Sequence, residues 1–409
     1  MLNVVVINGG RGAAALIPAL LAQQGINLTS VVNAYDDGKS TGDIRRFFRM
    51  LGPSDIRKVQ ELMLPEADPD HAASLHLFRY RYPDDVSRAQ ALAELRAFAD
   101  GTTDRLVGAN FTSAKITNAL RRFVAEFLDG LAVSEKVMGE ELSLADCSIM
   151  NCLFAGAHLA FDRNFEAATK YIDRLFKLKG TVLPTSIEDK KLVALRENGE
   201  MLYCEAEIVE LRSNVRIERI YLIDGSLDRQ RFESLSVAEK RYYLQHSQSF
   251  VEVSVGVKHA LQQADIIIYS AGTQHSSLYP TYLSSGLAAA IADNKAACKV
   301  FLTNIGADYE TPTYKASDYL LGAFRYLNMS DQRTYEMSEL FDYVLVNESR
   351  LKPDETYVEF DRESFDAVPV PLLVGAFESS VSPGKHDGPA VIHKVLALYE
   401  GSSSLDPSR

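Results

Sequence analysis

The sequence predicts an α/β protein: a Rossmann-like, mainly parallel sheet with a helical insertion and a small antiparallel β section. Three observations carry that reading. The chain opens with "NVVVINGGRGAAALIPALLAQQG", an apolar β-branched run, a glycine-rich turn and an Ala/Leu helix. Between Asp55 and Lys179 apolar residues recur at three- and four-residue steps, as in "AQALAELRAFAD" and "ITNALRRFVAEFLDGL". Towards the C-terminus, almost continuously apolar strands alternate with helical stretches, the pattern of strands buried on both faces.

The first turn holds Gly9, Gly10, Arg11 and Gly12. Glycines there let the backbone turn sharply and let a ligand approach, while the first N–H groups of the following helix point at whatever sits in front of them. A phosphate suits that position; a tight structural turn and a Rossmann variant are the competing readings. The spacing is Gly-Gly-x-Gly and not Gly-x-Gly-x-x-Gly, so the pattern says little for NAD.

A second strand, "INLTSVVNAY", precedes "DDGKSTG", residues 36–42. Its Gly-Lys-Ser suggests a phosphate-binding P-loop and its Gly-x-Ser-x-Gly a hydrolase nucleophile elbow. The P-loop fails because Asn33 stands where its leading glycine belongs, and because two acids would sit among phosphates. The elbow fails because Ala34–Gly38 separate the strand from Ser40. What remains is a loop with Asp36, Asp37, a lysine and two hydroxyls, expected beyond the carboxyl edge of the sheet, where open α/β sheets bind ligands. Its acids suit ribose hydroxyls or a hard cation such as Mg²⁺. A polar turn ahead of a helix starting near Thr41 is the plainer alternative.

After the helical insertion, placed at about 60–180, the period changes. "KLVALRENGEMLYCEAEIVE" reads as a hairpin around Asn198-Gly199, followed by the strand "RIERIYLID", so a β section spans about 182–224. The α/β pattern resumes with "ADIIIYSAGTQHSSLYPTYLSSGLAAAIAD", which is strand, small-residue loop and helix, then "KVFLTNIG", a helix near Lys315–Tyr326, and "FDYVLVNE". The loop with Gly272, Thr273, Ser276 and Ser277 repeats the architecture of the first, and the two could grip opposite ends of a diphosphate. One domain over 1–400 with a disordered tail at 401–409 is the expected organisation.

Composition bounds the function. Of 409 residues, 55 are acidic and 43 basic, for a net charge of −12, which argues against a nucleic-acid surface. Cys147, Cys152, Cys204 and Cys298 have no zinc or C-x-x-C spacing, and the histidines show no metal-ligand spacing. No apolar run is long enough to span a membrane, and the N-terminus reads as a strand and not a signal peptide. A cytoplasmic protein is the expectation.

Taken together, the motifs resemble the CofD-like superfamily, nearer to its gluconeogenesis-factor (YvcK-like) branch than to 2-phospho-L-lactate transferase. "INGGRG" is similar to that branch's triple-glycine loop, "DDGKSTGDIRR" to its Asp-Asp-Gly-Gly-Ser-Ser-Gly loop, and "GPSDIRK" to its Pro-Gly-Asp-Ile-Arg segment. "LFRYRY", "GTVLPTSIED", "SAGTQHSSLYPTYLSSGLAAAI" and "TNIGADYETPTYKASDYL" follow in the family's order. The resemblance implies a crevice for a nucleotide diphosphate: a UDP-sugar, NAD(P) or a GDP-type ligand. It implies either a metabolic regulator or a Mg²⁺-dependent transferase moving a phospholactyl or phosphoenolpyruvyl group from a guanosine diphospho-adduct. An NAD-dependent oxidoreductase is a further alternative, and a homodimer is expected. The residues it assigns to the crevice are Gly9, Gly10, Arg11, Gly12, Asp36, Asp37, Ser40, Asp55, Arg57, Asn151, Gly272, Thr273, Ser276, Ser277 and Asn304, with Asp37 and Asp55 as catalytic or metal-binding acids. Two departures stand out: Arg11 replaces the usual Thr, and "DCSIMN" keeps Ser148 and Asn151 but has Cys147 in place of a histidine.

Overall fold

The computed structural model describes residues 1–10, 12–352 and 356–405, with the main chain alone for 402–405. Twelve strands are described: β1 (Leu2–Asn8), β2 (Ile26–Val32), β3 (Arg105–Leu106), β4 (Ala109–Asn110), β5 (Thr181–Pro184), β6 (Lys191–Arg196), β7 (Met201–Leu202), β8 (Ile217–Ile223), β9 (Ile266–Tyr269), β10 (Cys298–Leu302), β11 (Tyr343–Asn347) and β12 (Leu372–Gly375). Seven of them form one sheet in the order β12-β11-β10-β9-β1-β2-β5, and every pairing in it is parallel.

That order fixes where a ligand can sit. From β1 the chain winds outward through β2 to β5, then returns to the other side of β1 as β9 and winds outward again through β10, β11 and β12. The register Val4↔Ile266 to Ile7↔Tyr269 brings the carboxyl ends of β1 and β9 level. Their following loops therefore diverge side by side, which opens a crevice at the switch point of a doubly wound sheet. Val4, Val5, Val6 and Ile7 in β1 and Ile266, Ile267 and Ile268 in β9 are at most 2% exposed. Helices cover both faces, as the unbroken apolar runs require.

The helical insertion lies between β2 and β5. Its longest helix, Ala114–Met138, packs on Ile149–Ala160 so closely that a Cβ at Gly156 would fall 1.8 Å from the Phe123 carbonyl. Only glycine permits that approach.

Three details differ from the sequence reading. Thr181–Pro184 joins the main sheet beside β2, so the antiparallel section begins only at Lys191. Within it, Gly199 at φ +86° makes the expected turn between β6 and β7, but β7 ends at Leu202 and Glu205–Glu210 is helical. The helix wins because Asp37, from outside it, accepts the Ala206 N–H with its Oδ1, while Glu207 in its first turn reaches back to accept the Tyr203 N–H. Finally, the last helix, Gly388–Leu405, continues through 401–405, where a tail was expected; the remaining tail positions, 406–409, lie outside the described residues. No described helix is long and apolar enough to cross a membrane.

Candidate functional site

The glycines of the first loop are fixed by what surrounds them. A Cβ on Gly10 would lie 2.4 Å from Asp55 Oδ1, one on Gly9 2.7 Å from Ser277 Cβ, and one on Gly12 2.2 Å from the Ala271 carbonyl. The loop after β1 is thus wedged between the helix Ser54–Leu62 and the loop after β9. Arg11, assigned to this loop by sequence, lies outside the described residues.

A cavity of about 320 Å³ opens over this junction. Of the residues expected from sequence, Gly10, Asp36, Asp55, Arg57, Thr273, Ser276 and Ser277 line it. Glu205, Lys39, Lys58 and Arg81 join them. Lys58 Nζ bonds Asp55 Oδ1 at 2.8 Å, and Ser277 Oγ donates to Asp55 Oδ2 at 3.4 Å. Asp36 Oδ1 accepts the Gly38 N–H at 3.0 Å, which closes the turn before the helix Lys39–Phe48.

Charge is crowded here. Burial, and then the negative charge of Asp55, raise the Asp36 carboxyl above its usual range, against the pull of Lys58 and the Gly38 N–H. Glu205 is raised further, by burial first and then by Asp36 and Asp55. Burial lowers the Arg57 guanidinium, and Arg81 adds to that. Arg57 donates to the Phe78 carbonyl at 2.6 Å, but its Nε is buried with no partner. A bowl with four acids, Glu210 being the fourth, and several cations among glycine and hydroxyl groups is chemically equipped for a ligand that carries phosphate, with or without a metal.

Asp37 sits elsewhere. Lys191 Nζ bonds its Oδ2 at 2.5 Å, the Ala206 N–H donates to its Oδ1 at 3.1 Å, and its side chain is 5% exposed. It ties the acidic loop to β6 and to the helix Glu205–Glu210, while Asp36 and Asp55 are the carboxylates of that sequence pair and its neighbour that line the cavity. Ser40 and Asn151 are wall supports: Asn151 Nδ2 donates to Ser40 Oγ and Thr41 Oγ1 at 3.3 and 3.2 Å, and Asn151 is 1% exposed. Asn304 and Gly272 are reciprocally bonded at 3.0 Å, main chain to side chain in both directions. Cys147, where the related motif has histidine, is buried with its Sγ 3.7 Å from Cys152 Sγ.

The second loop is not an open nest. The N–H groups of His275 and Ser276 both donate to Glu310 Oε2 at 2.9 Å, and Ser276 Oγ donates to Oε1 at 2.5 Å. The hydroxyls that remain, Thr273 and Ser277, are linked to each other at 2.9 Å. Sequence reasoning missed Glu205, Lys58, Arg81 and Glu310. Lys58 carried a signal, since it follows Asp55 by one helical turn; Glu205 and Glu310 are brought in from 168 and 34 residues away and carried none. Among the described residues, no three His, Cys, Asp or Glu side chains converge as a ready-made metal site.

Comparison with known proteins gives the family and the fold. Residues 4–373 match the family model described as 2-phospho-L-lactate transferase CofD. The gluconeogenesis factor of Listeria monocytogenes is 26% identical over 78% of this chain and 71% of its own length. That of Listeria innocua is 24% identical over 98% and 97%. In three dimensions, a Bacillus halodurans protein of the UPF0052 family superposes with a TM-score of 0.65 at 19% identity, over 97% of this chain and 99% of that one.

Proposed function

The chain belongs to the 2-phospho-L-lactate transferase CofD family, and we propose that its crevice binds a nucleotide diphosphate, a UDP-sugar or a dinucleotide, in the service of metabolic regulation. The observation that carries the reading is the cation set: Arg57, Lys58, Arg81 and Lys39 together line one cavity at the switch point of a parallel sheet. Burial lowers the Arg57 guanidinium, and an anionic ligand beside it offsets part of the cost of holding that charge away from water. Gly10 lines the cavity, and Ser277 and Thr273 offer hydroxyls.

A second reading, Mg²⁺-dependent transfer of a phospholactyl or phosphoenolpyruvyl group from a guanosine diphospho-adduct, is favoured by one specific feature. Asp36, Asp55 and Glu205 line the cavity together, burial and the neighbouring acids raise the carboxyls of Asp36 and Glu205, and a divalent cation relieves such crowding. These side chains fit Mg²⁺, which binds through one or two protein carboxylates plus ligand phosphates. When bound, the ion would neutralise phosphate charge. The chain's own part is to hold Asp55 against Lys58 and Ser277 and to present Arg57 and Arg81 as fixed cations.

A thermal-shift panel with UDP-glucose, NAD⁺, NADPH, GDP and GTP, each with and without Mg²⁺, tests both. A ligand at a hundred times its Kd adds about 2.7 kcal/mol of stability. A UDP-glucose or dinucleotide shift that ignores Mg²⁺ supports the regulatory binder, a guanosine shift that needs Mg²⁺ supports the transferase, and no shift from any nucleotide defeats both.

A further inference from the structure

The polar bowl has no aromatic ring in its lining, and a nucleotide needs a flat apolar surface for its base. The rim supplies one. The helix Glu205–Glu210 contributes Glu205, Ala206, Val209 and Glu210 to the cavity wall. Two residues beyond it, the Arg212 guanidinium lies 3.2 Å from the centre of the Tyr309 ring. Tyr309 in turn directly precedes Glu310, whose carboxyl grips Ser276 on the opposite wall. The Arg212–Tyr309 contact therefore joins the chain just beyond one wall of the cavity to the chain just before the clasp on the other.

This rim is apolar and exposed. Tyr309 is 66% exposed, Val209 41% and Leu211 45%. The guanidinium lies over the Tyr309 ring, and the residue as a whole remains largely exposed. A guanidinium stacked behind a tyrosine both pins the ring and adds cation–π attraction.

We propose that Tyr309, backed by Arg212, is the stacking platform for the heteroaromatic base of a nucleotide whose phosphates occupy the polar bowl. This rests on the nucleotide-binding reading above. It divides the site into a polar part that recognises phosphate and an aromatic part that tolerates any base, because every base presents a π-face.

The test measures affinity by calorimetry for UDP-glucose, NAD⁺, GDP and inorganic pyrophosphate on the full chain, using Tyr309→Ala and Tyr309→Phe. The expected result is a loss of about tenfold or more in nucleotide affinity for Tyr309→Ala, with Tyr309→Phe close to wild type and pyrophosphate affinity unchanged. Since the ring is exposed, both variants are expected to keep the wild-type melting temperature. Nucleotide binding unmoved by Tyr309→Ala overturns the platform and leaves the binding site standing, and so does an equal loss for pyrophosphate, which marks the rim as structural. If the wild-type chain binds none of the nucleotides, the functional reading falls and the platform with it.

Discussion

Glu310 and Ser276 are bound twice: the Ser276 N–H donates to one carboxyl oxygen of Glu310 at 2.9 Å and its hydroxyl to the other at 2.5 Å. The start of the helical turn after β9 is where an incoming phosphate would find free amides. Here a side chain of the same protein holds two of them. The ligand's phosphates are then left to the glycine loop, the two remaining hydroxyls and the cations Arg57, Lys58 and Arg81, which concentrates recognition on one side of the crevice.

Glu310 should make stability fall as pH rises. Burial lifts its carboxyl to about 8, even though its three donors pull it down. A carboxyl whose folded pKa exceeds its unfolded value stabilises fully below the unfolded value, near 4.3, and loses that contribution as pH rises through about 8. Glu310→Gln keeps the shape of the protonated acid, so urea unfolding should show it near wild type at pH 5 and more stable than wild type at pH 9. Glu310→Ala leaves buried N–H groups unpaired and should lose roughly 2 kcal/mol at both. If Gln is as damaging as Ala at pH 9, the protonated clasp is wrong.

Asp37 and Asp55 should separate in their effects. Asp37→Asn weakens the contact with Lys191 and alters the cap at Ala206, both largely buried, so the melting temperature should drop by several degrees. Asp55→Asn keeps its neighbours and faces the cavity, so it should change ligand affinity and any Mg²⁺ dependence with a smaller change in melting temperature. Thermal shift of both variants, with and without the best ligand of the panel, reads the two effects together. A fold loss for Asp55→Asn matching that of Asp37→Asn would assign both acids to structure.

Much of this arrangement was legible in the sequence, and the limits have a physical cause. Periodicity showed β1, β2, β9, β10 and β11, because strands buried on both faces leave unbroken apolar runs. It showed the hairpin at Asn198-Gly199, because a turn's chemistry is local. It did not show that "CEAEIVE" is a helix, since the cap that starts it comes from Asp37, far away in sequence. The glycines and Asp36, Asp55 and Arg57 were found because each sits just past a strand or in a motif. Which of two adjacent acids faces the cavity was beyond reach: Asp36 and Asp37 differ only in what the fold places opposite them, Gly38 and the cavity for one and Lys191 for the other. Glu205 and Glu310 are likewise tertiary facts.

A second pH effect should arise far from the crevice. Asp173 is 6% exposed, accepts the Val182 N–H at 2.9 Å and the Gln60 amide at 2.6 Å, and is pushed by burial up to about 7. Its contribution is complete below the unfolded value near 3.9 and is lost as pH rises through about 7. Asp173→Asn should flatten the decline in stability between pH 4 and 7 while leaving nucleotide affinity alone. An unchanged slope in the Asn variant would assign the decline to other groups, Glu310 first.

The acidic loop holds a strained residue, and the strain gives the last prediction. Lys39 has φ +47°, the left-handed region that favours glycine, and the related family loop has glycine at this position. A non-glycine residue there costs about 1–2 kcal/mol, and the partner Lys39 gains, Asp146 at 3.2 Å, forms an ion pair whose lysine side chain is 68% exposed. Such pairs contribute about 0–1 kcal/mol, so stability does not explain the lysine, whereas its place in the cavity lining does: it adds positive charge where phosphate is expected. Lys39→Gly should therefore match or exceed wild type in urea unfolding and exceed Lys39→Ala, which keeps the strain and loses the pair. Both should weaken nucleotide binding to a similar extent, with the loss shrinking as salt rises and screens the charge. Lys39→Ala proving as stable as Lys39→Gly would show the backbone there to be unstrained, and unchanged affinity in both would remove Lys39 from the binding site.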